Sequence, residues 1–290
     1  MNKKINLVLS GGGARGIAHI GIIEVLQEKN YQIQSVSGTS MGGLVGGIFA
    51  AGNLPELKKW LINIDIKEIV KMLDFSLKLP GLIKGEKVMK KIDGMLPIKN
   101  IEELPIPFTA VATDLQTDQA VYFDKGNIIE AIRASIAIPT IFTPVIHDRQ
   151  IWVDGGLVNN IPVNIAQKLN NFPIVAVCVN ADLPVTSEQW HIMKQNKKTE
   201  NEHLQKINQI RKHIRQKIFA HTPKHNDTPG YSEILDHSLH LMISQISNEI
   251  IKKYPPDLLI EIPRKIAGTF DFFKAEKLIQ IGRKAAFDTL

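Results

Sequence analysis

Residues 33–51 read IQSVSGTSMGGLVGGIFAA. The run opens as a short apolar strand, breaks at Gly38-Thr39-Ser40-Met41-Gly42, and continues in small apolar residues to Ala51. Residues so small and apolar predict a helix held tightly inside a structure of sheet and helix layers. The break has the form G-x-S-x-G between a strand and a helix. In such a turn the central residue is strained, and the flanking Gly38 and Gly42 avoid collision with neighbouring backbone. Ser40 would then stand clear of the sheet, its oxygen near the positive end of the next helix. A surface turn that merely contains a serine is the other reading of these five residues.

Upstream, INLVLS (5–10) reads as a buried strand that ends in Gly11-Gly12-Gly13-Ala14-Arg15-Gly16. From 14 to 29 the apolar residues Ile17, Ile20, Ile23, Val25 and Leu26 trace a helical stripe. The glycine turn matches G-x-G-x-x-G, the dinucleotide fingerprint. A nucleotide site would also need a carboxylate near the end of the next strand to hold the ribose. The strand at 33–37 has none, so the nucleotide reading is weak. Adjacent glycines beside a helix N-terminus still gather backbone N–H groups into one concavity, which suits an oxyanion as well as a phosphate.

Further along, strand-like runs fall at 107–113, 119–123, 151–153, 173–179 and 257–262. Helical patterns lie between them at about 86–95, 127–136 and 162–170. Alternation of this kind predicts an α/β fold with a sheet covered on both faces. The 290 residues fit one domain over 1–290. Its catalytic core would span about 5–180, its C-terminal part 181–290, with a polar insertion over about 181–230.

Hydrophobic residues make up 44% and charged residues 22%, which excludes a chain disordered throughout. One cysteine excludes an internal disulfide framework and any multi-cysteine metal site. Cys178, in VAVCV, reads as a buried small hydrophobe. The net charge of +6 is uneven: residues 194–224 hold nine Lys/Arg and two acids, and the remainder is net −1. Nucleic-acid binding by the whole fold is therefore not implied. Within that basic segment Leu204, Ile207, Ile210, Ile214 and Ile218 form an amphipathic stripe. A solvated face over ordinary packing is the first reading, and a helix lying on anionic membrane or a partner is the second. The N-terminal apolar run is too short for a secretory signal, and that at 41–51 too short to span a bilayer. A cytoplasmic protein is expected, at most peripheral at the inner membrane surface.

A serine hydroxyl needs a base. None of the nine histidines falls in a short loop just after a late core strand, where a triad histidine belongs. Asp154 is better placed. It follows Ile151-Trp152-Val153 and precedes Gly155-Gly156, so its carboxylate stands at a strand end with no bulky neighbour. Taken alone, an Asx-turn before two glycines is its ordinary role.

GGGARG, GTSMG, RASIAIPTIFTPV (133–145) and VDGGLVNNIPV (153–163), in this order, resemble the bacterial branch of the patatin-like phospholipase family. PFTAVATDLQT (107–117) and PPDLLIEIP near the end extend the resemblance over nearly the whole chain. It implies a three-layer α/β/α patatin-like sandwich with a mainly parallel central sheet, a Ser–Asp dyad and no catalytic histidine. Ser40 matches the nucleophile and Asp154 its base. Gly11, Gly12, Gly13 and Met41 match the oxyanion hole, with Arg15 beside it and Gly38, Gly42, Gly155 and Gly156 in support. The block at 133–139 is expected to support the dyad structurally. Lys168-Leu169-Asn170-Asn171 and the polar insertion after 181 depart from the family pattern.

The chemistry that follows is hydrolysis of lipid or phospholipid esters through an acyl-enzyme, with no metal or cofactor. It requires a partly desolvated Asp154 within hydrogen-bond reach of Ser40. The apolar stretch 72–83, with Phe75 and Leu79, is core by default or a flap over an acyl-chain site. Two alternatives stay open. One is a Ser–His–Asp esterase, with His237 and His240 as its first candidates, and the other a non-catalytic lipid- or partner-binding protein of the same fold.

Overall fold

A computed structural model describes residues 3–64, 66–72, 74, 83–194 and 231–290. Its centre is one eight-stranded sheet. The strands are β1 (Lys3–Leu9), β2 (Tyr31–Thr39), β3 (Phe108–Asp114), β4 (Gln119–Phe123), β5 (Val145–His147), β6 (Gln150–Asp154), β7 (Ile174–Ala181) and β8 (Leu258–Pro263). Their order is β5-β6-β3-β2-β1-β7-β8, with β4 also paired to β3. The five strands β3-β2-β1-β7-β8 run parallel, while β4, β5 and β6 form an antiparallel margin.

The strand residues explain why both faces are covered. In β1, Leu7 and Leu9 enter one core and Val8 the other. In β7, Val175, Val177 and Val179 alternate in the same way with Ala176 and Cys178. Side chains on a strand point to opposite faces in turn, so a continuous apolar run needs cover on both sides. On the larger face lie α1 (Ala18–Glu28), α2 (Met41–Ala50), α3 (Leu54–Asn63), α5 (Glu86–Asp93) and α6 (Ile128–Ser135), with the short α4 (Ile66–Met72) following α3, where Trp60 Nε1 donates to Glu68 at 3.2 Å. On the smaller are α7 (Val163–Leu169) and, after α8 (Ser187–Lys194), the long α9 (Tyr231–Lys253), whose Ile250 and Ile251 pack on the Val8 cluster. The last helix, α10 (Ala275–Thr289), returns to the larger face and lies along α1. The fold is therefore the three-layer α/β/α arrangement expected, with a mainly parallel sheet.

The expected elements appear within a few residues of their expected bounds. The helix expected from 14 begins as a 3₁₀ turn over Gly13–Ile17 before α1. Among the elements with no counterpart in the sequence reading are α3, α4, α8 and β5. The possible flap at 72–83, with Phe75 and Leu79, falls largely outside the described residues. So does the basic segment 194–224 beyond Lys194. Among the described residues no helix is long and apolar enough to cross a membrane. Cys178 is buried, and burial pushes its thiol up to about 11, as suits an unreactive core residue.

The contact of α1 with α10 depends on two small residues. A β-carbon on Gly282 would run into the carbonyl oxygen of Ala18, and one on Gly21 into that of Ile279. Backbone on both sides leaves nothing flexible to yield. Gly282→Ala is expected to destabilise the protein by about 1–3 kcal/mol. The urea midpoint should fall with the slope of the transition unchanged. A wild-type midpoint would mean that the helices can separate at no energetic penalty.

Candidate active site

The turn after β2 has the geometry its sequence predicts. Ser40 sits between β2 and α2 with φ 55° and ψ −124°, a conformation unfavourable for any residue with a side chain. Strain of this kind, roughly 1–3 kcal/mol, persists only where the surroundings over-determine it. Here they do. The Ser40 N–H donates to Ser135 Oγ at 2.8 Å, and Ser135 Oγ donates to the Val111 carbonyl at 2.6 Å. Thr39 Oγ1 donates to the Asn159 carbonyl at 2.8 Å. Glycine is needed at 42 because a β-carbon there would meet the Leu9 carbonyl, and at 38 because one would meet the carbonyl of Gly42.

Sheet topology brings Asp154 to this turn. β6 runs antiparallel to β3 and ends with Asp154 opposite Ala112, one residue from Val111. Val111 pairs with Thr39 of β2 along the same edge of β3, while β4 takes the other edge. Ser40 and Asp154, 114 positions apart in sequence, are thus brought together where the ends of β2 and β6 meet along one edge of β3. Both are 5% exposed. The Gly156 N–H donates to Asp154 Oδ1 at 2.8 Å, and the Asp154 backbone is tied to Ala137 and Thr113. Gly155 allows a close approach, since a β-carbon there would strike the Val111 carbonyl.

Burial raises the Asp154 carboxyl to about 6, opposed by the nearby Ser40 hydroxyl and by the Gly156 N–H, both of which favour the ionised form. The serine lies near enough to influence the acid, yet no hydrogen bond of ordinary length closes between them. Asp154 Oδ2 is consequently buried without a partner.

The glycine turn lies against the serine: a β-carbon on Gly11 would come within 3.0 Å of Ser40 Cβ and 2.5 Å of Asn160 Oδ1. In one respect the arrangement differs from the expectation. The Gly11 N–H is already engaged, donating to the Asn160 carbonyl at 3.0 Å, so it is not free for an oxyanion. The N–H groups of Gly12, Gly13 and Met41 have no acceptor among the described residues. Gly13, at φ 56°, closes on the Thr269 carbonyl region, and the following Ala14 N–H donates to Thr269 at 2.9 Å. Arg15 is buried behind the turn and donates to Val179, Asn180 and Ala267.

None of the described histidines is hydrogen-bonded to Ser40 or Asp154. His19 is buried with Nε2 on the Ser10 carbonyl at 2.9 Å, and burial lowers it to about 4. His147 stacks on Trp152, His240 bonds Thr269 Oγ1 at 3.2 Å, and His191 and His237 are exposed. His203, His213, His221 and His225 lie outside the described residues. No group of three or more His, Cys, Asp or Glu among the described residues could hold a metal.

Three further residues shape the site without having been singled out individually: Ser135, Asn160 and Asn180. Ser135 lies in the RASIAIP block and Asn160 in VDGGLVNN, so their neighbourhoods were marked in the sequence. Asn180, at the end of β7, carries no local signal.

A strained serine on a strand–turn–helix, a buried acid at the end of the strand that meets it and a glycine turn with unengaged amides define the nucleophile-elbow class of α/β proteins. The family model for patatin-like phospholipases matches residues 7–167. The chain is 31% identical to an NTE family protein of Mycobacterium tuberculosis, over 99% of this chain and 91% of that one. It is 28% identical to patatin-like phospholipase domain-containing protein 6 of Mus musculus, over 61% of this chain and 14% of that one. VipD from Legionella pneumophila, a solved structure, aligns over 99% of this chain and 66% of its own at 16% identity, with a TM-score of 0.46. The chain belongs to the patatin-like phospholipase family, a family of lipid hydrolases.

Proposed function

We propose that this protein is a serine acyl hydrolase that cleaves carboxylic esters of lipids, phospholipids among them, with Ser40 as nucleophile and Asp154 as its base. One observation carries the reading. The strained Ser40 and a buried carboxylate with an unpartnered oxygen meet beside unengaged amides. When an ester enters, the Ser40 hydroxyl closes onto Asp154, which takes its proton as Oγ bonds to the acyl carbon. The N–H groups of Gly12, Gly13 and Met41 receive the negative charge that forms on the carbonyl oxygen. Collapse of this intermediate breaks the ester C–O bond, and the leaving alcohol takes the proton back from Asp154. Water then attacks the acyl-enzyme with Asp154 again as base, which frees the fatty acid and restores Ser40.

The test is direct. Purified protein should release fatty acid from phospholipid or lysophospholipid vesicles and be labelled by a fluorophosphonate. Protein that does neither is a binding protein of the same fold. The base must be ionised to act, and a carboxyl near 6 is mostly protonated at lower pH. The pH profile of kcat/KM is therefore expected to fall about tenfold per unit below about pH 6. A profile that stays level down to pH 4.5 removes Asp154 from the base role.

A further inference from the structure

If Ser40 and Asp154 act as proposed, the direction in which the glycine amides point decides the rate, and that direction has an identifiable source. Asn180 lies near the end of β7, where the ladder to β8 slips between Cys178 and Ala181. Irregularities of this kind re-aim a side chain. Asn180 is 6% exposed, and Arg15 beside it is 2% exposed. Arg15 donates to Asn180 Oδ1 from Nε at 3.1 Å and from Nη2 at 2.6 Å. The same guanidinium donates to the carbonyls of Val179 at 3.1 Å and Ala267 at 2.9 Å.

A guanidinium has donors only. It therefore decides which end of the asparagine amide faces it, and Nδ2 is left to point the other way. There it donates to the Gly11 carbonyl at 2.6 Å. Gly11 is thus held at both ends, its N–H on Asn160 and its C=O on Asn180. In a trans peptide the C=O and the following N–H point in opposite directions. Anchoring the Gly11 carbonyl on Asn180 turns the Gly12 N–H to the opposite edge of that peptide, away from Asn180. Between two glycines no β-carbon resists rotation of the peptide.

We propose that Asn180, oriented by Arg15, is the positioning residue that keeps the Gly12 amide aimed at the oxyanion. It touches no substrate. Its effect is transmitted through one peptide plane.

Asn180→Asp separates this role from simple packing. The variant keeps the volume and the acceptor facing Arg15, but presents an oxygen to the Gly11 carbonyl where a donor stood. The expected result is a kcat lower by about 10²-fold, as misplacement of an oxyanion donor implies. KM should stay within about twofold, because the amide acts on charge that develops only in the transition state. Affinity for an alkylboronic acid, which forms a tetrahedral adduct with the serine, should fall with kcat. The melting temperature should stay near that of the wild type.

Wild-type kcat in Asn180→Asp overturns the proposal. So does a loss shared equally by kcat and the melting temperature, which would mark a general loosening. Failure of the dyad itself looks different, since the wild-type protein would then turn over no lipid ester at all. In that event amide hydrogen exchange across residues 10–16 still decides the anchoring: it should rise in Asn180→Asp, and equal exchange in both proteins overturns it.

Discussion

Replacing Ser40 with alanine is expected to lower ester hydrolysis by on the order of 10⁴–10⁶ and to abolish fluorophosphonate labelling. In the proposed mechanism the substitution deletes the one oxygen that both attacks and gives its proton to Asp154. It leaves the turn in place, because alanine keeps the β-carbon and the backbone bond to Ser135 Oγ is unaffected. Stability should therefore change by less than about 1 kcal/mol. Ser40→Gly gives a second readout of the same geometry. It loses activity to the same degree, but it relieves the strain at φ 55° and should melt higher than Ser40→Ala. A variant of either kind that retains a tenth of wild-type turnover would remove Ser40 from the mechanism.

Asp154→Asn is expected to cut turnover by about 10²–10⁴, the usual loss when a general base is removed, and to make the protein more stable at neutral pH. The second effect follows from the first requirement. A carboxyl raised from 3.8 to about 6 holds its proton more tightly in the folded state than in the unfolded one. Its contribution to stability is complete below about pH 4 and is lost as pH rises through 6. At pH 7.5 the buried charge then destabilises the fold by about 3 kcal/mol, taking 1.4 kcal/mol per unit. Asparagine removes the charge while its amide oxygen can still accept from Gly156. After allowance for burying the new N–H groups, a gain of about 1–3 kcal/mol is expected at pH 7.5, shrinking towards zero at pH 4. Chemical denaturation at the two pH values measures it. A variant less stable than wild type at pH 7.5 would show that the ionised acid is not penalised by its surroundings.

His19 adds a contribution of the opposite sign. Its folded value near 4 lies below its ordinary 6.5, so the stability it provides is present above pH 6.5 and is lost as pH falls towards 4. In the wild type the two groups partly offset each other between pH 4 and 6. In Asp154→Asn only the histidine remains, and acid should destabilise that variant more steeply.

The legible parts of this chain share a physical basis: they are set by residues close together in sequence. Largely apolar runs announce β1, β3 and β7, because a strand buried on both faces carries few polar side chains. The turn at Ser40 is legible because its glycines bracket the serine within five residues. Gly42 is nevertheless required by the distant Leu9 carbonyl, and only Gly38 by backbone within a few positions. Asp154 is legible from the two glycines after it. β5 was not, being three residues long, two of them exposed, and dependent on β6 for all its pairing. Nor were α3 and α8, short helices whose polar faces give little contrast with the loops around them.

From local order alone came the layers, the serine, the acid and the glycine turn that belong together. Only the folded chain could bring the acid and the serine to the same point of β3, since strand order is set by long-range pairing that no local pattern encodes. Only the folded chain engages the Gly11 amide with Asn160, so that the unengaged amides are those of its neighbours. The same holds for the high proton affinity of Asp154 and for Asn180 behind the loop. Each comes from atoms more than a hundred residues apart, and a carboxylate's surroundings exist only once the sheet has closed around it.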